Sequence, residues 1–198
     1  MGNNIKYQIG IPENQRDKAV LLFDEAFGEK LSVAIKDSAK RKKIMEKYLN
    51  LNYAIAAMDQ SELIGMAGFS IHEGSLTSNI SYKSLISNLG IVKGNRAALI
   101  LRMYERKNES EQLVMDGITV NQKYRRMGIR YNLLSELKEY ALENDFRNIR
   151  LDVIDKNIQA KKLYEKAGFK TIKEEYFPFL GKLLGFSGVY MMIFDLRK

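Results

Sequence analysis

The stretch LVMDGITVNQKYRRMGIRYNLLSELKEYALENDFRNIRLDVIDKNIQAKKLYEKAGF, residues 113–169, carries the reading of the fold. Its opening, Leu113 to Val120, is apolar and β-branched and reads as a strand. The turn Tyr124-Arg125-Arg126-Met127-Gly128-Ile129-Arg130 then leads into a helix over Gly128 to Asn144, with Leu133, Leu134, Leu137, Tyr140 and Ala141 at helical spacing. Ile149 to Ile154 reads as a second strand and Asn157 to Ala167 as a short helix, stopped by Gly168 in the C-cap position.

Outward from this unit the pattern continues on both sides. Ile5 to Ile11 alternates like a strand, and Pro12 opens a helix whose apolar stripe runs to Gly28. A second helix covers Asp37 to Leu49, with the run Lys40, Arg41, Lys42, Lys43 facing water rather than a nucleic acid. Tyr53 to Met58 and Glu62 to Ile71 form a hairpin about Asp59, Gln60 and Ser61. Residues 74–110 read as a helical insert, with helices at Ser84 to Leu89 and Arg96 to Glu105, broken by Gly90 and Gly94. Phe169 to Tyr176 and Val189 to Leu196 close the chain as strands, joined by a loop containing Pro178. Gly181 and Gly185 in that loop have GxxxG spacing outside any apolar 20-mer, so no membrane-helix contact is read from them. The expected class is α/β (α+β): one domain over residues 1–198, with a mixed, mostly antiparallel sheet of about seven strands flanked by helices, and the insert between strands 3 and 4.

Composition excludes several chemistries. There is no Cys, so no thiolate nucleophile or disulfide framework exists, and His72 as the single histidine rules out a two-histidine metal centre. No metal is expected. The formal charge of +8 favours an anionic ligand. No apolar run reaches membrane-spanning length and the N-terminus lacks a hydrophobic signal core, so a cytoplasmic protein without a membrane partner is expected. Lys6 occupies the position where a myristoylation motif needs Ser or Thr.

The basic turn has a physical reason to hold an anion. N–H groups at a helix start lack intrahelical partners, and the helix dipole is positive there. Gly128 would let backbone approach a ligand closely, yet neither GxxxxGK[ST] nor GxGxxG is present, which excludes a P-loop or a Rossmann dinucleotide site. A solvated basic helix start accounts for the same residues equally well.

Two blocks together resemble the GNAT superfamily of acetyl-coenzyme A dependent N-acetyltransferases. Arg125 and Gly128, within Tyr124-Arg125-Arg126-Met127-Gly128, match the family's [QR]xxGx[GA] turn; Arg130 departs from it, where Gly or Ala is usual. Leu151, Val153, Asn157, Ala160, Leu163, Tyr164, Lys166, Gly168 and Phe169 fit LxVxxxNxxAxxLYxKxGF. The resemblance implies acetyl-coenzyme A as co-substrate and an amine as acceptor. It places the pyrophosphate on Arg125, Arg126, Met127, Gly128, Ile129 and Arg130, and the pantetheine arm against Ile118, Thr119, Val120 and Asn157. Gly117 is a plausible bulge that would re-aim that strand edge.

The implied chemistry is direct attack of an amine on the thioester. Tyr164 matches the family's proton donor to the leaving thiolate, although a Tyr on a helix face commonly serves packing. Asn157 could equally be a helix N-cap. Asp116 is the candidate base, and simple alternation puts it on one strand face with Ile118 and Val120; its alternative is a plain surface charge. His72 and Glu73 end the preceding strand as bystanders, and Glu62, Glu174 and Glu175 are acids without a placement. The insert either covers the acceptor side of the cleft, forms a homodimer contact, or decorates the packing. Two competing functions remain: a basic nucleic-acid-binding module using Lys40 to Lys43 with Arg125 and Arg126, and a catalytically silent acetyl-coenzyme A sensor.

Overall fold

The apolar runs Ala54–Asp59 (β2) and Glu62–Ile71 (β3) pair as the expected hairpin, and Ile5–Ile9 (β1) adds antiparallel to β2. The computed structural model describes residues 5–102, 109–177 and 186–197. Gly181, Gly185 and positions 103–105 of the expected insert helix lie outside the described residues. Gln112–Val120 (β5) lies antiparallel to β3, and Asn148–Ile154 (β6) joins β5 in parallel. Parallel neighbours need a crossover, here the helix Ile129–Glu143 (α5). Gly188–Asp195 (β8) then pairs with β6, and Lys170–Tyr176 (β7) pairs with β8 at the edge.

The sheet order is β1-β2-β3-β5-β6-β8-β7, with Gly74–Ser75 (β4) folded back on β3. Eight strands replace the expected seven because that two-residue strand opens the insert, which therefore lies between β3 and β5. Among the described residues only β5 and β6 run parallel; every other pair is antiparallel.

Two layers of side chains cover the sheet. On one face α5 buries Ile129, Leu133, Leu137 and Ala141 against Leu113, Met115 and Leu151. On the other, Arg16–Ser32 (α1) and Ser38–Tyr48 (α2) bury Val20, Phe23 and Met45 against Ala54, Ala56 and Met66. Removing this apolar surface from water is the main stabilising term of both layers. Among the described residues, no helix is long and apolar enough to cross a membrane.

Several sequence expectations change here for identifiable reasons. The helix expected to open at Pro12 is first a 3-10 turn, Glu13–Gln15, and becomes α1 at Arg16. It runs past Gly28 instead of stopping there. A Cβ on Gly28 would lie 3.0 Å from Asp24 Oδ1 and 3.1 Å from Arg41 Nη2, so this glycine makes room for an ion pair. That pair corrects the expectation that Lys40 to Lys43 is a solvated run. Arg41 is buried, its Nε 2.6 Å from Asp24 Oδ1 and its Nη1 donating to the Ile35 carbonyl at 2.9 Å, while Lys40 and Lys43 are exposed. A guanidinium so enclosed must be paired, because an unpaired buried charge costs about 3–5 kcal/mol.

The insert holds two helices, Tyr82–Leu89 (α3) and Ile91–Arg102 (α4), the second starting five residues before its expected origin. Gly90, at φ 80°, separates them. Gly94 does not break α4; a Cβ there would sit 2.8 Å from the Ile86 Cα, so it permits close contact with α3. Leu85 and Ala97 pack with Ile35 and Ile44, which seats the insert against α2.

Candidate active site

Register dictates the central feature. β5 and β6 pair only from Gln112↔Asn148 to Met115↔Leu151. Beyond that point Asp116 to Val120 stay with β3, whereas Asp152 to Ile154 stay with β8. The two strands part into a wedge, and one edge of residues 116–120 has no strand beside it among the described residues. Such an edge offers N–H and C=O groups to any extended chain of amides.

At the apex of the wedge is a β-bulge. Consecutive Gly68 and Phe69 on β3 face Gly117 and Met115, so Asp116 is the extra residue. The bulge was expected at Gly117; the extra residue is its neighbour, Asp116. Gly117 instead lies against the Phe27 ring of α1, into which any Cβ would collide.

The bulge also overturns the expected grouping of Asp116 with Ile118 and Val120. One added residue inverts the side-chain alternation of a strand. Met115 precedes it and Ile118 and Val120 follow it on the α5 face, packed in that core, while Val114 and Asp116 line a cavity on the α1 side. The carboxylate thus faces away from the α5 layer, toward a space of about 430 Å³ bounded by α1, α2, β3, β5 and the insert.

The basic turn lies at the open end of β5. Gly128 is the N-cap of α5 at φ 78°, with no side-chain cap, and nothing lies within 4 Å of where its Cβ would be. Arg126 also adopts a left-handed backbone, at φ 67°. Tyr131 and Asn132 N–H both return to the Gly128 carbonyl, and among the described residues the N–H groups of Arg126, Met127 and Gly128 donate to no protein acceptor. The Ile129 side chain is buried in the core, so its N–H is the part available to a ligand. Thr119 and Val120 are buried in the same way and offer backbone.

Arg125 has a role the motif does not reveal. Its Nη2 lies 2.7 Å from Glu25 Oε1 on α1, and its Nε donates to the Val120 carbonyl at 3.3 Å. Gln122 Nε2 donates to the same Glu25 at 3.1 Å, and the Tyr124 hydroxyl donates to Asp59 at 3.0 Å. The turn is therefore pinned at three side chains while its N–H groups stay open. Glu25 carried no signal in the sequence, since a helical Glu followed by Ala reads as a solvated position.

Asn157 caps Ile158–Lys166 (α6), accepting from Ala160 N–H at 3.1 Å, at the end of the other arm of the wedge. Tyr164, on α6, is 7% exposed, with the Phe169 ring 5.9 Å from its own. Burial pushes its hydroxyl up to about 12, the Arg130 guanidinium pulling in the opposite direction. It is a neutral hydrogen-bond donor throughout the physiological range. Arg130, where the sequence departs from the motif, is exposed, and its charge reaches Tyr164 from the first turn of α5.

The remaining acids sit elsewhere. His72 and Glu73 are exposed in the turn between β3 and β4, Glu62 pairs with Lys18 at 2.6 Å, and Glu175 with Lys173 at 2.6 Å. Glu174 is exposed on edge strand β7. Among the described residues, no group of three or more His, Asp or Glu side chains gathers as a metal-binding cluster.

Solved structures of similar fold include proteins described as acetyltransferases. Arylalkylamine N-acetyltransferase 2 from Aedes aegypti aligns over 98% of this chain and 100% of its own, with a TM-score of 0.63 at 16% identity. The yncA protein of Salmonella typhimurium, solved with its cofactor acetyl-CoA, aligns over 99% and 96%, with a TM-score of 0.61 at 12% identity. The ribosomal-protein-S18-alanine N-acetyltransferase of Escherichia coli aligns over 98% and 95%, with a TM-score of 0.55 at 12% identity. No curated protein sequence matches this one. Those identities speak for the fold alone, but the Acetyltransferase (GNAT) family itself matches residues 22–169, three quarters of the chain and all of the wedge, turn and α6. With its parted strands and open helix start inside that match, the chain belongs to the GNAT family of acetyltransferases.

Proposed function

We propose that the chain transfers an acetyl group from acetyl-coenzyme A to a primary amine by direct attack, acting as a single catalytic domain. The observation that carries this reading is the wedge: a strand edge without a neighbouring strand among the described residues, with the bulge residue Asp116 at its apex and an N–H-rich turn at its open end. The arm of coenzyme A, with its peptide-like amides, runs along Ile118 to Val120, and Asn157 closes on it from the other arm. The pyrophosphate rests on the N–H groups of residues 126–130, with Arg126 and Arg130 supplying charge.

At the apex, Asp116 takes a proton from the incoming ammonium, directly or through a water. The nitrogen then attacks the thioester carbonyl, and N–H groups of the free β5 edge stabilise the oxyanion that forms. As the C–S bond breaks, Tyr164 hydrogen-bonds the departing thiolate. A phenol near 12 is too weak an acid to lose its proton outright to a thiol that ionises at about 8.5, so it acts by donating that hydrogen bond. The products are an amide, a free thiol and one proton.

The nucleic-acid reading loses its footing at two residues, since Arg41 is buried against Asp24 and Arg125 is held by Glu25. Tyr164→Phe tests the proposed mechanism. It should lower kcat by roughly 10²-fold while leaving coenzyme A affinity within about twofold. Because burial holds the Tyr164 hydroxyl protonated up to about 12, kcat/KM of the unsubstituted protein, which takes the ammonium, should show no descending limb until the amine itself deprotonates at about pH 10.4. A fully active Tyr164→Phe, or a descending limb near pH 9, removes Tyr164 from the mechanism. Coenzyme A binding without thiol release for any amine assigns a sensor instead.

A further inference from the structure

We infer that the acceptor is a monoamine with an aliphatic or aromatic tail, held with its nitrogen at Asp116 and its tail in the cavity between α1, α2 and the insert. This inference rests on the proposed transferase reading and specifies its substrate class.

The cavity of about 430 Å³ has the volume of a small molecule rather than a protein segment. Its floor is apolar: Phe23, Ile44, Met45 and Val114 line it and are each 6% exposed or less. Its exposed hydroxyls, Thr77 and Ser78, belong to the start of the insert and make the mouth polar, while Arg41 and Ser70 are the buried polar side chains of its lining. The insert adds Ile80 and Leu101 to the apolar walls. Residues 77–80 and α4 thereby add walls to a face of α1 and α2 and leave the pocket open at its mouth.

The charges lining this space decide how many amino groups it can take. Asp116 and Arg41 are the only charged side chains lining it among the described residues. Arg41 is committed to Asp24 and the Ile35 carbonyl, so Asp24 is neutralised and unavailable to a second ammonium. A diamine would place its far ammonium among Ile44, Met45 and Phe23, near a buried guanidinium, with no free carboxylate among the described lining residues there to receive it. That arrangement is penalised by both desolvation and like-charge repulsion. A polyamine or an aminoglycoside meets the same obstacle several times over. An alkyl or aryl tail gains free energy with each methylene that leaves water.

The reaction balances as RNH3+ plus acetyl-coenzyme A giving the N-acetylamine, free coenzyme A and one proton. The N–C bond forms as the C–S bond breaks, and the ammonium proton leaves by way of Asp116.

The test is thiol-release kinetics with a matched series: ethylamine, butylamine, hexylamine, 2-phenylethylamine, 1,6-diaminohexane and a lysine-containing peptide. Coenzyme A binding is measured in parallel by calorimetry. The expected result is a kcat/KM that rises about fourfold per methylene from ethylamine to hexylamine. 1,6-Diaminohexane should fall at least about 100-fold below hexylamine. Turnover that favours the diamine or the peptide, or no binding and no turnover of hexylamine by a protein that does bind coenzyme A, overturns the substrate class alone. Absence of coenzyme A binding overturns the transferase reading beneath it.

Discussion

Asp116→Asn should reduce kcat/KM at pH 7 by about 10²-fold or more, with coenzyme A affinity unchanged. The amide is nearly isosteric, so the bulge and its pairing with Gly68 and Phe69 are preserved while the proton acceptor is lost. At pH 7 an alkylamine of pKa about 10.4 is free base in only about one molecule in 2,500. The unsubstituted protein binds the abundant ammonium and strips its proton, whereas the Asn variant must select the rare free amine. Its deficit should therefore shrink steadily between pH 7 and pH 10, as the free amine becomes common. A side chain that merely shapes the bulge would give a deficit independent of pH. Parallel profiles for the two proteins would remove Asp116 from proton transfer.

Gly128→Glu should raise the dissociation constant for coenzyme A by more than about 100-fold. Two effects combine at this position. The backbone sits at φ 78°, where an L side chain costs about 1–2 kcal/mol, and the new carboxylate enters open space at a turn whose Arg126, Met127 and Gly128 N–H groups donate to no protein acceptor among the described residues. Gly128→Asn separates the two, since Asn tolerates a left-handed backbone and carries no charge. The Asn variant should retain its fold and lose about tenfold in affinity or less, while the Glu variant loses essentially all binding with its circular dichroism intact. Equal affinities for Glu and Gly, measured by calorimetry, would place the pyrophosphate away from this turn.

The strand–turn–helix–strand–helix unit of residues 113–169 was legible because each part is local. A β-branched run, a basic turn ending in Gly128, and leucines at helical spacing each announce themselves within a few positions. The family resemblance carried by that unit was legible for the same reason, and its pairing partners β3 and β8 were present as apolar runs. What could not be read is what depends on register or on distant residues. Asp116 parts from the face of Ile118 and Val120 only because the ladder skips it, and a skip in pairing leaves no mark on the strand's own sequence. Arg41 stands in a run of four cations, yet it alone is buried, because Gly28 and Asp24 on another helix leave a place for it. Gly28, Gly94 and Gly117 look like helix or strand interruptions in sequence; in the fold each is a point where another residue comes too close for a Cβ. The cavity itself draws residues from position 23 to position 116, so no window of sequence contains it.

The most direct test of the whole account is a crystal structure of the protein bound to acetyl-coenzyme A. The account predicts the amide-bearing arm hydrogen-bonded along the free edge of residues 118–120, the pyrophosphate over the N–H groups of residues 126–130, and the thioester within reach of Tyr164 and Asp116. A ligand lodged on another face, or β5 and β6 paired without a break past Met115 and Leu151, would contradict it.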